Sequence, residues 1–426
     1  MSVLLGAIAD DFTGATDLCN TLHRRGMKTV QLIGVPKAGT RAPDAEALVV
    51  ALKSRTVPAR EAIAKSLDAL AYLKEAGARQ ILFKYCSTFD SADEGNIGPV
   101  AEALLSALDA DFTLYCPAFP EAQRTIYQGH LFVGEVLLSQ SGMRDHPLTP
   151  MRDSNLVRVL ERQCRHPVGL VPYATVACGA ERVAAAFADL RKAGKRHAIV
   201  DALFDRDLEA IGAAAADLPL ITGGSGIAQG LPANFRRKGL LGAREGADRL
   251  PPVRGSAAVL SGSCSQATQA QVAYMREHTP AFTVDPLAAA AGRDVASEAL
   301  SWARPRLGER PILFSATAPP DEVAAVQERL GREASGALVE GILAGIARGL
   351  VASGLRRLVV AGGETAGAVV GALGVSALLI GEEIDPGVPW TLSLGEPALA
   401  LALKSGNFGK PDFFLRAFSV LEGGEQ

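Results

Sequence analysis

The sequence predicts an α/β protein of two domains, each built on a largely parallel sheet, with an active-site cleft between them. Three observations carry that expectation. The chain has 426 residues, more than one hydrophobic core ordinarily organises. Short apolar runs alternate with longer stretches of helical spacing, the rhythm of parallel strands joined by crossover helices. That rhythm breaks near residue 235, in a charged, glycine-bearing stretch that closes on Pro251-Pro252, as a linker does. The expected domains are 1–235 and 255–426, with 236–254 between them.

In the first domain the runs Val3–Ala9, Thr29–Gly34, Ala47–Leu52, Ile81–Cys86, Phe112–Cys116 and His197–Val200 read as strands. Thr13–Arg25, Val57–Ala76, Gly95–Asp109 and Glu181–Lys195 read as helices. Between 123 and 153 the chain is polar and turn-rich, and His130, His146, Arg152 and Asp153 stand there without an apolar frame. The second series opens with strand Ala257–Leu260 and helix Gln266–His278. The helical stretch Ala337–Ala352 follows, then strand Leu358–Val360. Glu382-Glu383 reads as a solvated turn.

Composition removes several function classes. A formal net charge of -3 gives no basic face for nucleic acid. No run of 18 continuous apolar residues appears, so no membrane span is expected. The start, MSVLLGAIADDF, has neither the basic region nor the cleavage site of a signal peptide. The six cysteines, at 19, 86, 116, 164, 178 and 264, form no Cys-x-x-Cys pair. They read as reduced thiols of a cytoplasmic protein with no metal site.

Two constellations can carry chemistry. The first strand ends in adjacent carboxylates, Asp10 and Asp11, with Thr13, Gly14 and a third acid, Asp17, behind them. Like charges side by side repel unless neutralised. Lys53, Ser54 and Arg55 follow one neighbouring apolar run, Lys84 lies within the next, and Ser87, Asp90 and Asn96 come after it. Parallel strands end along one edge, where ligands bind. The cluster therefore suits a small, polar, anionic ligand. Arg55 and Lys84 would hold a carboxylate, the acids would bind hydroxyls, and a buried structural ion pair is the plainer reading of Lys84 alone.

The second constellation is a set of glycine turns between strand and helix. They are Ser261-Gly262-Ser263, Gly362-Gly363-Glu364-Thr365 and Ser405-Gly406-Asn407. Such turns aim backbone N–H groups at a phosphate, and glycine admits the close approach. A fourth turn, Thr222-Gly223-Gly224-Ser225-Gly226, is either a cleft lining or a plain helix start. Neither GxxxxGK[ST] nor GxGxxG after the first strand is present, which disfavours a P-loop enzyme and a nicotinamide dehydrogenase.

In order along the chain stand IADDFTGATD, FKYCSTFDS, GNIGPV, TGGSGIAQGL, LSGSCS, GGET and KSGNFG. Together they resemble the four-carbon acid sugar kinase family, over nearly the whole chain. With YQGHLFVG and HPLTPMRDSNL the likeness is to the branch that acts on 3-oxo-tetronate. Ala92 departs from the family, where Thr would follow Ser91. The resemblance implies an acid-sugar-binding N-terminal domain and a nucleotide-binding C-terminal domain, with ATP phosphorylating a terminal hydroxyl and Mg2+ bridging its phosphates. It places nucleotide contacts at Ser261, at Gly362–Thr365 and at Gly406; Gly262 and Asn407 lie in the same turns. Asp11 or Asp90 would take the acceptor proton, while Asp10, Arg55, Lys84, Ser87 and Asn96 would bind the sugar acid. The expected partners are small molecules, and the size suits a homodimer. The alternatives are a D-threonate or D-erythronate kinase, or a non-catalytic sugar-acid-binding protein on the same fold.

Overall fold

In the computed structural model, which describes residues 3–37, 39–146, 149–242, 250–308, 310–406 and 408–423, the opening apolar run forms β1 (Leu5–Ala9). All five of its residues are buried, as in a strand covered on both faces. The chain divides into two units, Met1–Ala247 and Asp248–Gln426.

The first unit continues with β2 (Thr29–Ile33), β3 (Ala47–Ala51), β4 (Gln80–Lys84) and β5 (Thr113–Cys116). A small antiparallel sheet follows, of β6 (Arg124–Tyr127), β7 (His130–Val133) and β8 (Val136–Leu137). It occupies the segment that reads as turns, because its strands are short and lack a long apolar run. The main sheet is completed by β9 (Val168–Val171), β10 (His197–Val200) and β11 (Leu220–Gly223). Its order is β2-β3-β1-β4-β11-β5-β10-β9, and every pairing is parallel. β1 lies between β3 and β4, so the carboxyl end of β1 is the point where the strand order reverses, the usual place for a ligand in such sheets.

Helices connect these strands close to their expected spans: Phe12–Arg24, Ala59–Glu75, Ile97–Ala107 and Ala180–Lys192. The turn at 222–226 is shaped by packing. A Cβ on Gly223 would lie 2.4 Å from the carbonyl of Cys116, and one on Gly226 2.4 Å from that of Ala118. Residues 243–249 of the expected linker lie outside the described residues.

The second unit carries β12 (Ser256–Ser261), β13 (Ala281–Thr283), β14 (Ile312–Ser315), β15 (Leu355–Ala361), β16 (Ala377–Asp385), β17 (Val388–Ser393) and β18 (Ala400–Lys404). Its order is β13-β14-β12-β15-β18-β17-β16. The pairings from β13 to β18 are parallel, and those of β17 with β18 and β16 are antiparallel. Glu382-Glu383 is therefore not a turn: both residues sit in β16, half-buried. The period-2 alternation that would mark a strand is obscured there by a register shift. The core of this unit gathers Trp390, Phe413, Phe414 and Phe418, with the Trp390 indole donating to the carbonyl of Ala417 at 2.7 Å. Helix Arg332–Ala352 is long and apolar enough to span a membrane by length and composition. Here it buries Ile342, Leu343, Ile346, Ala347 and Leu350 within the unit.

Candidate active site

In the first unit three strand ends bring their charges together. β1 stops at Ala9, paired with Ala51 of β3 and Lys84 of β4. The next two residues are Asp10 and Asp11. The Asp10 amide donates to the carbonyl of Lys84 at 3.0 Å, and the Arg55 amide donates to the carbonyl of Asp10 at 3.2 Å. The three segments thus leave the sheet at one level.

Arg55 grips Asp10 with two parallel bonds, Nε at 2.9 Å and Nη2 at 2.8 Å, and Nη2 also donates to Asp11 at 2.5 Å. Its Nη1 stands 3.8 Å from Asp90. Lys84 Nζ lies 3.5 Å from Asp11. The opposing charge that the acid pair needs is supplied from both neighbouring strands. Asp11 is also the N-cap of helix Phe12–Arg24, accepting from Thr13 Oγ1 at 2.8 Å and from the Gly14 amide at 3.1 Å. The positive end of the helix adds to its stabilisation. Gly14 is required by this packing: a Cβ there would lie 1.8 Å from Lys84 Nζ.

Exposure separates the four groups into two layers. The side chains of Asp10 and Lys84 are each 5% exposed, those of Asp11 and Arg55 24% and 22%. Asp10 and Lys84 form a floor, and Asp11 and Arg55 face outward. Burial acts to raise the Asp11 carboxyl, but Lys84, Arg55, Thr13 and the Gly14 amide outweigh it and hold it well below the usual carboxylate range. Burial raises Asp10 against the pull of Arg55. Burial alone would lower Lys84, but Asp11 and Asp10 keep it above the ordinary lysine value. Asp90 accepts from Thr88 Oγ1 at 2.5 Å. The preceding Phe89 has a left-handed φ of 52°, held by a fully buried ring packed edge-on against Tyr85. Such a conformation persists only when its surroundings fix it, and here it turns Asp90 toward Arg55. Ser87 is half-buried in the same segment.

Two expectations need correction, and the third acid of the opening stretch joins the charged group. Asn96 does not face a ligand: its Nδ2 donates to the carbonyls of Ser54, Arg55 and Val57 and the residue is buried. It fastens the loop that carries Arg55. Ser261 is fully buried, with its hydroxyl paired to Thr317 Oγ1 at 2.7 Å, so it supports the first glycine turn from below. Asp17 belongs with the charged group, because Lys84 acts on it while burial raises its carboxyl. Its place one helical turn beyond Thr13 was the available signal.

In the second unit the glycine turns converge. Gly262 and Ser263, Gly362 to Thr365 and Gly406 all line one cavity of about 730 Å3. Close packing explains the glycines. A Cβ on Gly262 would lie 2.3 Å from Thr365 Oγ1, and one on Gly406 2.4 Å from Ser263 Oγ. Gly362 has φ +125°, a conformation open to glycine. It caps helix Gly363–Ala372, whose first-turn N–H groups have no acceptor within the helix. The third turn is held from beneath by Lys404, fully buried, which donates to Thr268 Oγ1 and to the carbonyls of Ser405 and Gly406 at 3.0–3.2 Å. Burial lowers its ammonium to about 8. Asn407 lies outside the described residues.

Residues 5–231 match the family model of a sugar-binding N-terminal domain, and 258–414 that of a nucleotide-binding C-terminal domain. A 3-oxo-tetronate kinase of Burkholderia multivorans is 61% identical over 99% of this chain and 98% of its own length. One of Cupriavidus necator is also 61% identical, with the same coverage. Among solved structures, a Salmonella typhimurium LT2 protein provisionally described as a tRNA synthase has TM-score 0.90 and 45% identity, covering 97% of this chain and 98% of that one.

Proposed function

The chain belongs to the family that joins a sugar-binding N-terminal domain to a nucleotide-binding C-terminal domain, and on that premise we propose that it is an ATP-dependent kinase that phosphorylates 3-oxo-tetronate on its terminal, 4-hydroxyl. It is thus a transferase of carbohydrate metabolism with small-molecule partners, and its free thiols suit a cytoplasmic setting. Full-length identity to 3-oxo-tetronate kinases carries this reading.

The difference in exposure supports a division of roles in the first unit. Arg55, whose Nη1 is the guanidinium nitrogen not bonded to Asp10 or Asp11, takes the substrate carboxylate. Asp11, the outward acid, accepts a hydrogen bond from the acceptor hydroxyl and orients it. Lys84 and Asp10 act from below, keeping Asp11 ionised and Arg55 fixed. Phosphoryl transfer through a loose transition state asks for alignment and charge neutralisation more than for a strong base. An acid held far below its ordinary range fits orientation better than proton storage, and Asp90, whose carboxylate stands 3.8 Å from Arg55 Nη1, is the other acid of the cluster proposed to take the departing proton.

In the second unit the backbone N–H groups of the turns at 262–263, 362–365 and 406 hold the ATP phosphates. Mg2+ takes oxygen ligands, and Glu364, Asp285, Glu322 and Glu340 on the cavity wall supply the donors that fit it. When bound, the ion neutralises phosphate charge.

The test is ADP release by purified protein with ATP, Mg2+ and a panel of four-carbon acids, including 3-oxo-tetronate, D-threonate and D-erythronate. The highest kcat/KM is expected with 3-oxo-tetronate. A higher value with D-threonate or D-erythronate would move the substrate assignment. Binding of an acid without ADP release above background would leave a binding protein and sink the kinase reading.

A further inference from the structure

Away from the strand-end charges, Glu102, Cys164 and His197 turn one ligand atom each toward a common point, all within 4.8 Å of one another. They come from helix Ile97–Ala107, from the segment after helix Leu156–Glu161, and from the first residue of β10. No Cys-x-x-Cys spacing announces them.

Their arrangement is that of a ligand set. His197 is fully buried, yet its Nε2 has no hydrogen bond and stands 3.4 Å from Glu102 Oε1. Its other nitrogen, Nδ1, lies 3.0 Å from the Tyr115 hydroxyl. A metal-bound Nε2 requires the tautomer in which Nδ1–H donates to the tyrosine oxygen, and that tautomer turns the Nε2 lone pair toward the cluster. A partner on the second imidazole nitrogen is the usual way a ligating histidine is oriented. Glu102 is fixed by the Arg165 amide, which donates to Oε1 at 2.7 Å. Gly98 leaves the sulfur its space: a Cβ there would lie 2.9 Å from Cys164 Sγ.

We propose that Glu102, Cys164 and His197 bind a divalent first-row transition-metal ion of the zinc type, with a fourth position left for water. Sulfur, imidazole and carboxylate together suit zinc and cobalt, and hard oxygen-seeking ions poorly. A thiolate, a carboxylate and a neutral imidazole carry two negative charges, which a divalent ion cancels in a buried place. The ion ties a helix, a loop and a strand start together, so it stabilises the first unit.

The test is independent of kinase activity. Chelator-treated protein, free of nucleotide, is titrated with Co2+ and followed by absorption. The expected result is about one ion per chain, with a thiolate-to-cobalt charge-transfer band and the d–d bands of a four-coordinate site. Cys164→Ser should remove the charge-transfer band. Tyr115→Phe, which keeps all three ligands, should weaken the affinity about 10–100-fold. Zn2+ should raise the thermal midpoint of the wild type, and less so that of Tyr115→Phe. Absence of the charge-transfer band in folded wild type overturns the proposal, as does a band that persists in Cys164→Ser. Should Cys164→Ser fail to fold, the Tyr115→Phe titration decides: unchanged affinity refutes the site.

Discussion

Lys84 and Lys404 each end a buried strand, β4 and β18, and their surroundings push them in opposite directions. Lys84 meets Asp11 and Asp10, and its ammonium is held above the ordinary lysine value. Lys404 meets a hydroxyl and two carbonyls, and burial lowers it to about 8. The first lysine belongs to a site whose charges are matched within the protein. The second stands beneath a turn with dipoles around it and its charge unmatched. A site for a hydroxy acid needs both signs displayed at fixed positions. A site for phosphates gains from a cation whose countercharge arrives with the ligand.

The sharpest way to break this contrast is Asp11→Ala. Loss of the outward acid should lower kcat about 10²–10⁴-fold, while ADP affinity measured by calorimetry stays within about twofold. A collapse of ADP affinity would mean that the two sites have been wrongly divided. Next comes Lys84→Met, which strands Asp10 and Asp11 with Arg55 as their remaining partner. Removing one member of a buried ion pair costs about 3–5 kcal/mol, to be read from chemical unfolding. Lys404→Met should cost less, about 1 kcal/mol or under, because loss of its hydrogen bonds is offset by relief of a desolvated charge. Equal losses in the two variants would end the comparison.

The pH dependence follows from the same pair. Burial sets Lys404 at about 8 in the folded protein, against the ordinary lysine value of 10.5. Between those values the unfolded chain binds the extra proton, so stability rises with pH there. The penalty is complete below pH 8 and is relieved on the way to 10.5, by at most about 3 kcal/mol. Unfolding measured across that window should show the rise in wild type and lose it in Lys404→Met. The smallest effect concerns the turns. Gly406→Val would press on Ser263 and Ser265 and should raise KM for ATP about 10-fold, equivalent to ~1.4 kcal/mol. Sugar-acid affinity should not move; if only that affinity changes, the turns have been misread.

Much of this was legible in the sequence where a strand ends in something chemically abrupt. The run before Asp10-Asp11 and the apolar residues before Gly262 and Gly362 show both the strand and the candidate site at its end. Legibility failed where a side chain acts on distant backbone. Nothing near Asn96 says that its amide will hold the carbonyls of Ser54, Arg55 and Val57, and nothing near Ser261 points to Thr317, more than fifty residues away. It also failed in the antiparallel strands, where the bulge in β16 hides alternation and makes Glu382-Glu383 look like a turn. The Glu102–Cys164–His197 cluster was out of reach for a like reason, its members being brought together from a helix, a loop and a strand start far apart in sequence.

The atom that Gly14 lacks has a consequence for how this sequence can vary. Because a Cβ at 14 would claim the place of the Lys84 ammonium, the two positions are epistatic. A Cβ at 14 would also lie 2.2 Å from Asp11 Oδ1, so a larger residue there needs both a shortened 84 and a displaced Asp11 carboxylate. That shortened background has lost the cation that keeps Asp11 ionised. Both single steps away from the Gly14–Lys84 pair therefore pass through a damaged enzyme, and the pair is expected to be inherited as a unit.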